Sequence, residues 1–298
     1  MADITASMVK ELREKTGAGM MDAKKALVEA NGDVEAAVDA LRQKGMAKAD
    51  KKSSRTAAEG LVAIATDGTK GAVVEINSET DFVSRNEDFQ NFVKSVSEVA
   101  LGTSNVEELA ATDLNGKSVS DSLTDLIATI GENMALRRSE NLEVSEGAVI
   151  PYIHGALAPG LGKIGVLVAL ESSASADVLE GLGKQLAMHI AAAFPKYLDR
   201  DSMDDAAVAK ERDFLIEQAK AGGKPQEIAE KMVSGRMNKF TSEVSLTGQA
   251  FIKDPSTSVA QLLKAKNADV INFVRFEVGE GIEKKTEDFA AEVAAMSS

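Results

Sequence analysis

The sequence predicts an α+β protein: a three-helix head, two related α+β subdomains with small antiparallel sheets, and a protruding helical hairpin. Three observations carry that prediction. The first 45 residues place apolar side chains at helical spacing and show no strand alternation. From residue 59 onward one order of elements occurs twice: strand pair, helix, insertion, helix, strand. Within the second copy, residues 199–245 carry a long helical pattern of their own.

In the head, Ile4, Met8, Val9 and Leu12 share a helical face, and Thr5 or Ser7 suits its N-terminus. "TGAG" interrupts, and Met21, Ala26 and Leu27 serve a second helix. "NGD" breaks that helix, and Val34, Ala37, Val38 and Leu41 share a face of a third. Three short helices with a Gly-bearing first turn resemble a ubiquitin-associated-type domain, here residues 1–45. Residues 48–55, "KADKKSSR", lack apolar periodicity. The segment 46–58 therefore reads as a solvated linker or a helical arm.

The first copy, residues 59–145, opens with "GLVAIATDGTKGAVVEIN", two strand-like runs about an Asp67-Gly68 turn. Phe89, Phe92, Val93, Val96 and Ala100 then line one face of a helix that Asn86 is suited to cap. "VSDSLTDLIATIGEN" and "MALRRSENLEV" supply the later helix and strand. The second copy, 146–198 with 246–280, repeats this with "VIPYIHGALAPGLGKIGVLVAL", "DVLEGLGKQLAMHIAAA", "TSVAQLLKAKNAD" and "VINFVRFEV". Each sheet is expected to be covered by helices. Between them, 199–245 reads as two helices joined through Gly222, Gly223 and Pro225. Val208, Leu215 and Ala219 are expected to face Ile228, Met232 and Phe240. Such a projection serves as a spacer or a contact surface. Residues 281–298 form a C-terminal module.

Composition narrows the function. Of 298 residues 44% are apolar and 27% charged, with 4% aromatic, no Trp and no Cys, so disulfides, thiol nucleophiles and thiolate metal sites are excluded. No apolar run approaches the roughly 18 residues of a membrane span, and "MADITASMVKELR" lacks a signal-peptide core. A cytoplasmic protein with no membrane contact is expected. The net charge of −13 argues against direct nucleic-acid binding. Residues 1–58 carry 11 Lys or Arg against 9 Asp or Glu, and the remainder 23 against 38, so a near-neutral head precedes an acidic body.

Catalytic chemistry is not legible. His154 and His189 are far apart, and His189 falls in the apolar run "QLAMHIAAA", which suits a packed histidine better than a ligand. "GALAPGLGKI" departs from a phosphate-binding loop at Leu157 and Ile164 and joins two strands; it reads as a hairpin loop. "VGEGIEK" is a lone Gly-x-Gly, and Asp204-Asp205 read as solvated acids. No nucleophile, base and orienting group converge. No enzyme, catalytic residue, metal site or cofactor is expected.

"ETDFV", residues 79–83, links the second strand to the following helix and places Phe82 in neither. On pattern alone a Phe here plugs the core; the alternative is a presented anchor for a partner's pocket. Resemblance decides between them. "LREKTGAGMMDAKKAL" (12–27) and "EINSETDFVSRNEDF" (75–89) resemble the signature stretches of the bacterial translation elongation factor Ts family. The similarity extends through "KPQEIAEKMVSGRMNKF" and "RFEVGEGIEKKTEDFAAEV" and covers essentially the whole chain. Ala23 stands where that family often has Cys, and Ser78-Glu79 where many members have Cys-Gln. The loop "GALAPGLGK" is longer than in some members.

The resemblance implies a guanine-nucleotide exchange factor for the GTPase elongation factor Tu. It implies that Phe82 wedges near the GTPase's magnesium site and that Asp81 helps disturb that site, within a motif Thr80, Asp81, Phe82, Val83. It implies further contacts through Lys10, Arg13, Met20 and Met21 in the head and through Ile130 and Gly131, with the second subdomain reaching the GTPase's far domain. One of Met20 and Met21 is expected to pack within the head. Dimerisation through the hairpin stays open. The rival reading, from the head alone, is a ubiquitin-associated-type binding module or ribosome-associated factor without exchange activity.

Overall fold

The computed structural model describes residues 4–223 and 225–283. Residues 284–298, most of the C-terminal module expected over 281–298, lie outside the described residues. In the head, α1 (Ala6–Thr16) is capped by Thr5, whose hydroxyl accepts from the Met8 amide at 3.3 Å, and is stopped by Gly17 at φ 68°. α2 (Met20–Glu29) and α3 (Val34–Lys52) follow, the latter capped by Asp33 through the Ala36 amide at 3.1 Å. Leu12, Ala23, Ala26, Leu27 and Ala37 form the head's core.

The first part of the segment 46–58 takes the form of a helical arm: α3 runs on without a break to Lys52, and residues 53–58 are not helical. The middle of α3 docks on the body. Gly45 is buried, and a Cβ built there would lie 3.4 Å from the Ala128 methyl. Arg42 reaches Asp121 at 3.1 Å beside that contact.

The first copy contains β1 (Glu59–Thr66), β2 (Lys70–Ser78), a 3-10 turn (Val83–Arg85), α4 (Glu87–Ala100), α5 (Val106–Ala111), α6 (Val119–Ile130) and β3 (Met134–Glu143). The second contains β4 (Gly147–His154), β5 (Leu161–Gly162), β6 (Ile164–Glu171) and α7 (Ala176–Ala193). After the insertion, α8 (Asp205–Ala221) and α9 (Gln226–Val244), come β7 (Ala250–Phe251), β8 (Asp254–Ser258), α10 (Val259–Lys266) and β9 (Asp269–Glu277). The sheets run β3-β2-β1-β5 and β4-β6-β9, all antiparallel, with β7 and β8 a separate small hairpin.

The duplication is visible in backbone detail. Each first strand is an edge of its three-strand repeat, each second strand is central, and each late strand takes the opposite edge. Gly60 opens β1 at φ 123°, where a Cβ would come within 2.2 Å of the Ile76 carbonyl. Gly147 opens β4 at φ 129°, where a Cβ would come within 2.0 Å of the Leu170 carbonyl. No side chain fits either place. The ladder to the late strand then slips at the same point in both copies, between Glu75 and Ile76 and between Ala169 and Leu170.

Helices cover only one face of each sheet. α4 packs Phe89, Val93, Val96 and Ala100 on Leu61, Ala63, Val74 and Ile76, and burying Phe89 alone contributes about 1.5–3 kcal/mol. α7 covers Ile150, Val166, Val168 and Leu170 in the same way. The other faces meet each other through Val62, Val73, Val149, Leu167, Ala169 and Phe276, a helix–sheet–sheet–helix stack. Loop 155–163 does join β4 to β6, but it also lends β5 to the first sheet, Gly162 opposite Val62.

The inter-sheet face buries one charge. Glu75 has no exposed surface. Its carboxylate accepts from Arg138 Nε at 2.6 Å, Arg137 Nη1 at 3.0 Å, Asn77 Nδ2 at 2.9 Å and the Gly279 amide at 2.7 Å. Burial by itself raises the Glu75 pKa; the bonds from Gly279, Asn77 and Arg138 outweigh it and hold the carboxyl below its ordinary value.

The hairpin α8–α9 closes on Leu215, Ala219 and Val233, with Ile216 and Met237 against them. Leu215 and Ala219 face inward as expected, but their partners on α9 are Val233 and Met237. Ile228 and Met232 are exposed, one helical step out of register with that face. Among the described residues no helix is long and apolar enough to cross a membrane.

Two expected outcomes follow from this packing. Glu75 has a folded-state pKa below its unfolded one, so its contribution is complete above pH ~4.5 and is lost as pH falls through the depressed value. Glu75→Gln therefore lowers stability near pH 7 by roughly 1.5–3 kcal/mol and flattens the acid limb of the stability–pH curve. Urea melts from pH 7 to 3 measure both; parallel curves for the two proteins would refute the assignment. Replacing residues 205–244 with a short Gly/Ser loop leaves the sheets folded, because the hairpin has its own core. Circular dichroism melting that stays cooperative is the expected result, and loss of the transition the contrary one.

Candidate partner-binding surface

β2 ends at Ser78 and the 3-10 turn begins at Val83, so residues 79–82 have no ladder to hold them. They are fixed from both sides instead. Behind the link, Val83 is buried, Ser84 Oγ donates to the Gly60 carbonyl at 2.9 Å, and Asn86 caps α4 through the Phe89 amide at 3.1 Å. Ahead of it, the Glu132 carboxylate accepts from Thr80 twice: from its amide at 2.9 Å and from its hydroxyl at 2.7 Å. The link projects Asp81 and Phe82 into solvent, with Phe82 79% exposed. The core-plug expectation for Phe82 is thus overturned, since Val83 occupies the inward position that a plug would need.

The turn after α6 lies beside this link. Gly131 ends the helix at φ 91°, and Ile130 is half-buried against the first core. Glu79 accepts a hydrogen bond from the Asn133 amide, and Arg55 approaches Glu79 at 3.5 Å. Asn133 Nδ2 donates to the Arg55 carbonyl at 2.7 Å, and Lys52 Nζ donates to the Gly131 carbonyl. The end of α3, the Ile130–Gly131 turn and the Thr80–Val83 link are thereby tied at one point.

The head meets the body close to this turn. Gly17 lies opposite Thr129 of α6, a Cβ there being 3.9 Å from its hydroxyl. Gly19 then starts α2, and both methionines that follow are exposed, Met20 by 62% and Met21 by 77%. The expectation that one of them packs within the head is therefore corrected: Ala23, Ala26 and Leu27 fill that role. Lys10 is exposed and pairs with Glu14 at 3.7 Å; Arg13 is exposed and donates from Nε to the Ala18 carbonyl at 3.2 Å.

The other polar candidates have structural partners. His189 is buried, bonded through Nε2 to Gln249 Oε1 at 2.8 Å, and accepts the Ile252 amide on Nδ1 at 3.2 Å. That pattern requires the neutral ring, and burial lowers its pKa against the weaker opposing effect of Gln249. His154 sits 3.2 Å from the Tyr152 hydroxyl on the surface. Asp204 caps α8 through the Ala206 amide at 3.0 Å. Sequence reasoning missed Glu79, Glu132 and Asn133. Their only signal was position beside two singled-out motifs, and nothing in the sequence pairs residue 79 with 133.

Comparison with known proteins places this architecture. A family model described as elongation factor TS matches residues 79–280. The chain is 57% identical to the elongation factor Ts of Erythrobacter litoralis over 304 residues, 99% of each protein. It is 58% identical to that of Sphingopyxis alaskensis over 306 residues, covering 100% of this chain and 99% of the relative. With the one of Zymomonas mobilis it shares 58% identity over 305 residues, again 100% and 99% of the two chains. On a match that runs through the head, both sheets and the hairpin, the chain belongs to the elongation factor Ts family.

Proposed function

We propose that this protein is the guanine-nucleotide exchange factor of elongation factor Tu, acting in the cytoplasm during translation elongation and not itself an enzyme. The observation that carries the reading is Phe82: the chain leaves a large aromatic side chain 79% exposed on a link whose neighbours are anchored. An exposed aromatic on a rigid base is suited to enter a partner's pocket. In this reading Phe82 wedges beside the GTPase's magnesium and phosphate site and Asp81 perturbs the magnesium. Met20, Met21, Lys10 and Arg13 grip a second part of the nucleotide domain, and Ile130 and Gly131 contribute between them.

The energetics are those of linkage. Exchange factor and GDP each weaken the other's binding by one common factor. Burying Phe82 supplies about 1.5–3 kcal/mol toward the distorted state, and the head and second subdomain supply the remainder. Displacing magnesium removes the largest local charge that holds the phosphates. The division into a head (1–45), a body and a hairpin (199–245) is part of the same reading. The hairpin's exposed Phe214, Ile228 and Met232 make it a contact surface, for a partner or for a second copy.

Release of labelled GDP from purified elongation factor Tu tests the proposal. Phe82→Ala melts within a degree or two of wild type, since no cavity opens, and slows release by about tenfold or more. Asp81→Ala has a weaker effect that grows with magnesium concentration. Val83→Ala is the control: it costs roughly 2 kcal/mol of stability and changes exchange only through folding. A Phe82→Ala protein that melts normally and exchanges at full rate would end the proposal. Deleting residues 1–45 leaves the body folded by circular dichroism and strongly weakens association with the GTPase; an unfolded fragment would make the head part of the core.

A further inference from the structure

Phe82 touches too little to fix its own direction, so its aim is set by the residues on either side. On its C-terminal side the buried Val83 and the Ser84–Gly60 bond hold the chain. On its N-terminal side two carboxylates cross. Glu132 takes both donors of Thr80, at 2.9 and 2.7 Å, while Glu79 takes the amide of Asn133, the residue after Glu132. The dipeptides 79–80 and 132–133 thus clasp each other reciprocally.

We propose that Glu132 is a positioning residue. Its two-point grip on Thr80 aims Asp81 and Phe82 and sets them in a fixed relation to the Gly131 turn and the end of α3. One acceptor contact would fix a distance. Two contacts from one carboxylate to the amide and hydroxyl of a single residue also fix that residue's rotation, and charge-assisted bonds are the stronger kind. Without Glu132 the Thr80 amide and hydroxyl lose their acceptor, and the link is left with the Ser78 hydroxyl on the Thr80 carbonyl at 2.9 Å, the Glu79–Asn133 bond and the turn bonds from the Ser84 and Arg85 amides to the Asp81 and Phe82 carbonyls; it loosens about Thr80, and the cost of ordering it is incurred at docking. Contacts made by the head are untouched, so initial docking keeps its strength while productive insertion of Phe82 becomes rarer. The functional consequence rests on the exchange reading; the positioning itself does not.

The test uses the absence of Trp from the chain. Phe82→Trp places a sole indole on the link, and its anisotropy decay reports local motion without any partner. Adding Glu132→Gln removes the charge and leaves one acceptor for the Thr80 amide, while the NH₂ can meet the Thr80 hydroxyl only as a donor to its oxygen, a neutral and weaker pairing. The expected result is an unchanged melting curve with a larger fast component of the decay. On the Phe82 background, Glu132→Gln lowers the maximal rate of GDP release about tenfold and leaves the half-saturating concentration of exchange factor unchanged. Thr80→Ser, which keeps both donors, leaves the anisotropy decay as it is with Thr80. Thr80→Val, which keeps only the amide, falls between. Local motion that does not respond to Glu132→Gln overturns the proposal. So does increased motion with an unchanged release rate. Should Glu132→Gln unfold the protein, Thr80→Val decides by the same two readouts. If wild-type protein fails to accelerate GDP release at all, the exchange reading falls, and the anisotropy arm alone decides whether Glu132 positions the link.

Discussion

The Glu75 carboxylate sits at the border of the apolar layer between the two sheets, with two arginines, an asparagine and a backbone amide converging on it. An isolated charge there would be very costly. Its partners come from three places: β2 itself, the adjacent β3, and the turn after β9. Arg137 and Arg138 reach onward from Glu75 to the Glu280 and Glu277 carbonyls, and Arg138 also stacks on Phe276 at 4.1 Å. The chain's last described turn is thus fastened to its first sheet. The apolar residues press the two subdomains together, and the charge cluster specifies the alignment, because a shifted sheet would take the Gly279 amide from Glu75 and the Glu277 and Glu280 carbonyls from the two arginines.

From that fixed stack the outward-facing parts follow. The link at the end of β2, the turn before β3 and the end of α3 all gather at one end of the first sheet. The link shows Asp81 and Phe82 to solvent while its backbone is bound from within. Exposed apolar residues on a mobile loop would lose much of their binding energy to ordering, whereas on a held backbone they keep it. The acidic body matters less to local recognition than to the company the protein keeps, since a net charge of −13 repels nucleic acid and other acidic surfaces.

Much of this was legible from periodicity alone. The helical faces of α4 and α7, the caps at Thr5 and Asn86 and the Asp67-Gly68 turn all follow from spacing and turn chemistry. So does the duplication. Runs such as "IGVLVAL" also carry the mark of strands buried on both faces, yet sequence reasoning covered the sheets with helices on one side and left the other unassigned. What escaped was pairing at long range. Periodicity states which residues share a face but not what that face meets, so β5 beside β1, Val233 opposite Leu215, and Glu79 with Asn133 were invisible. Phe82 shows the same limit from the other side. Pattern favoured a buried Phe, and only the resemblance of "ETDFV" to a known family's signature pointed outward.

The strand β5 carries a consequence in time. β1 is the edge of its own hairpin, and such an edge invites pairing with any passing strand until it is covered. Its cover, Leu161–Gly162, belongs to the second copy, and the Gly279 amide that completes the Glu75 cluster comes later still. A chain emerging from its own synthesis therefore holds an open edge and an unfinished buried charge through most of its length. The first half can gather helices early, but it cannot close until the second half arrives. The duplicated units, similar as they are, fold as one obligate pair rather than as two beads on a string.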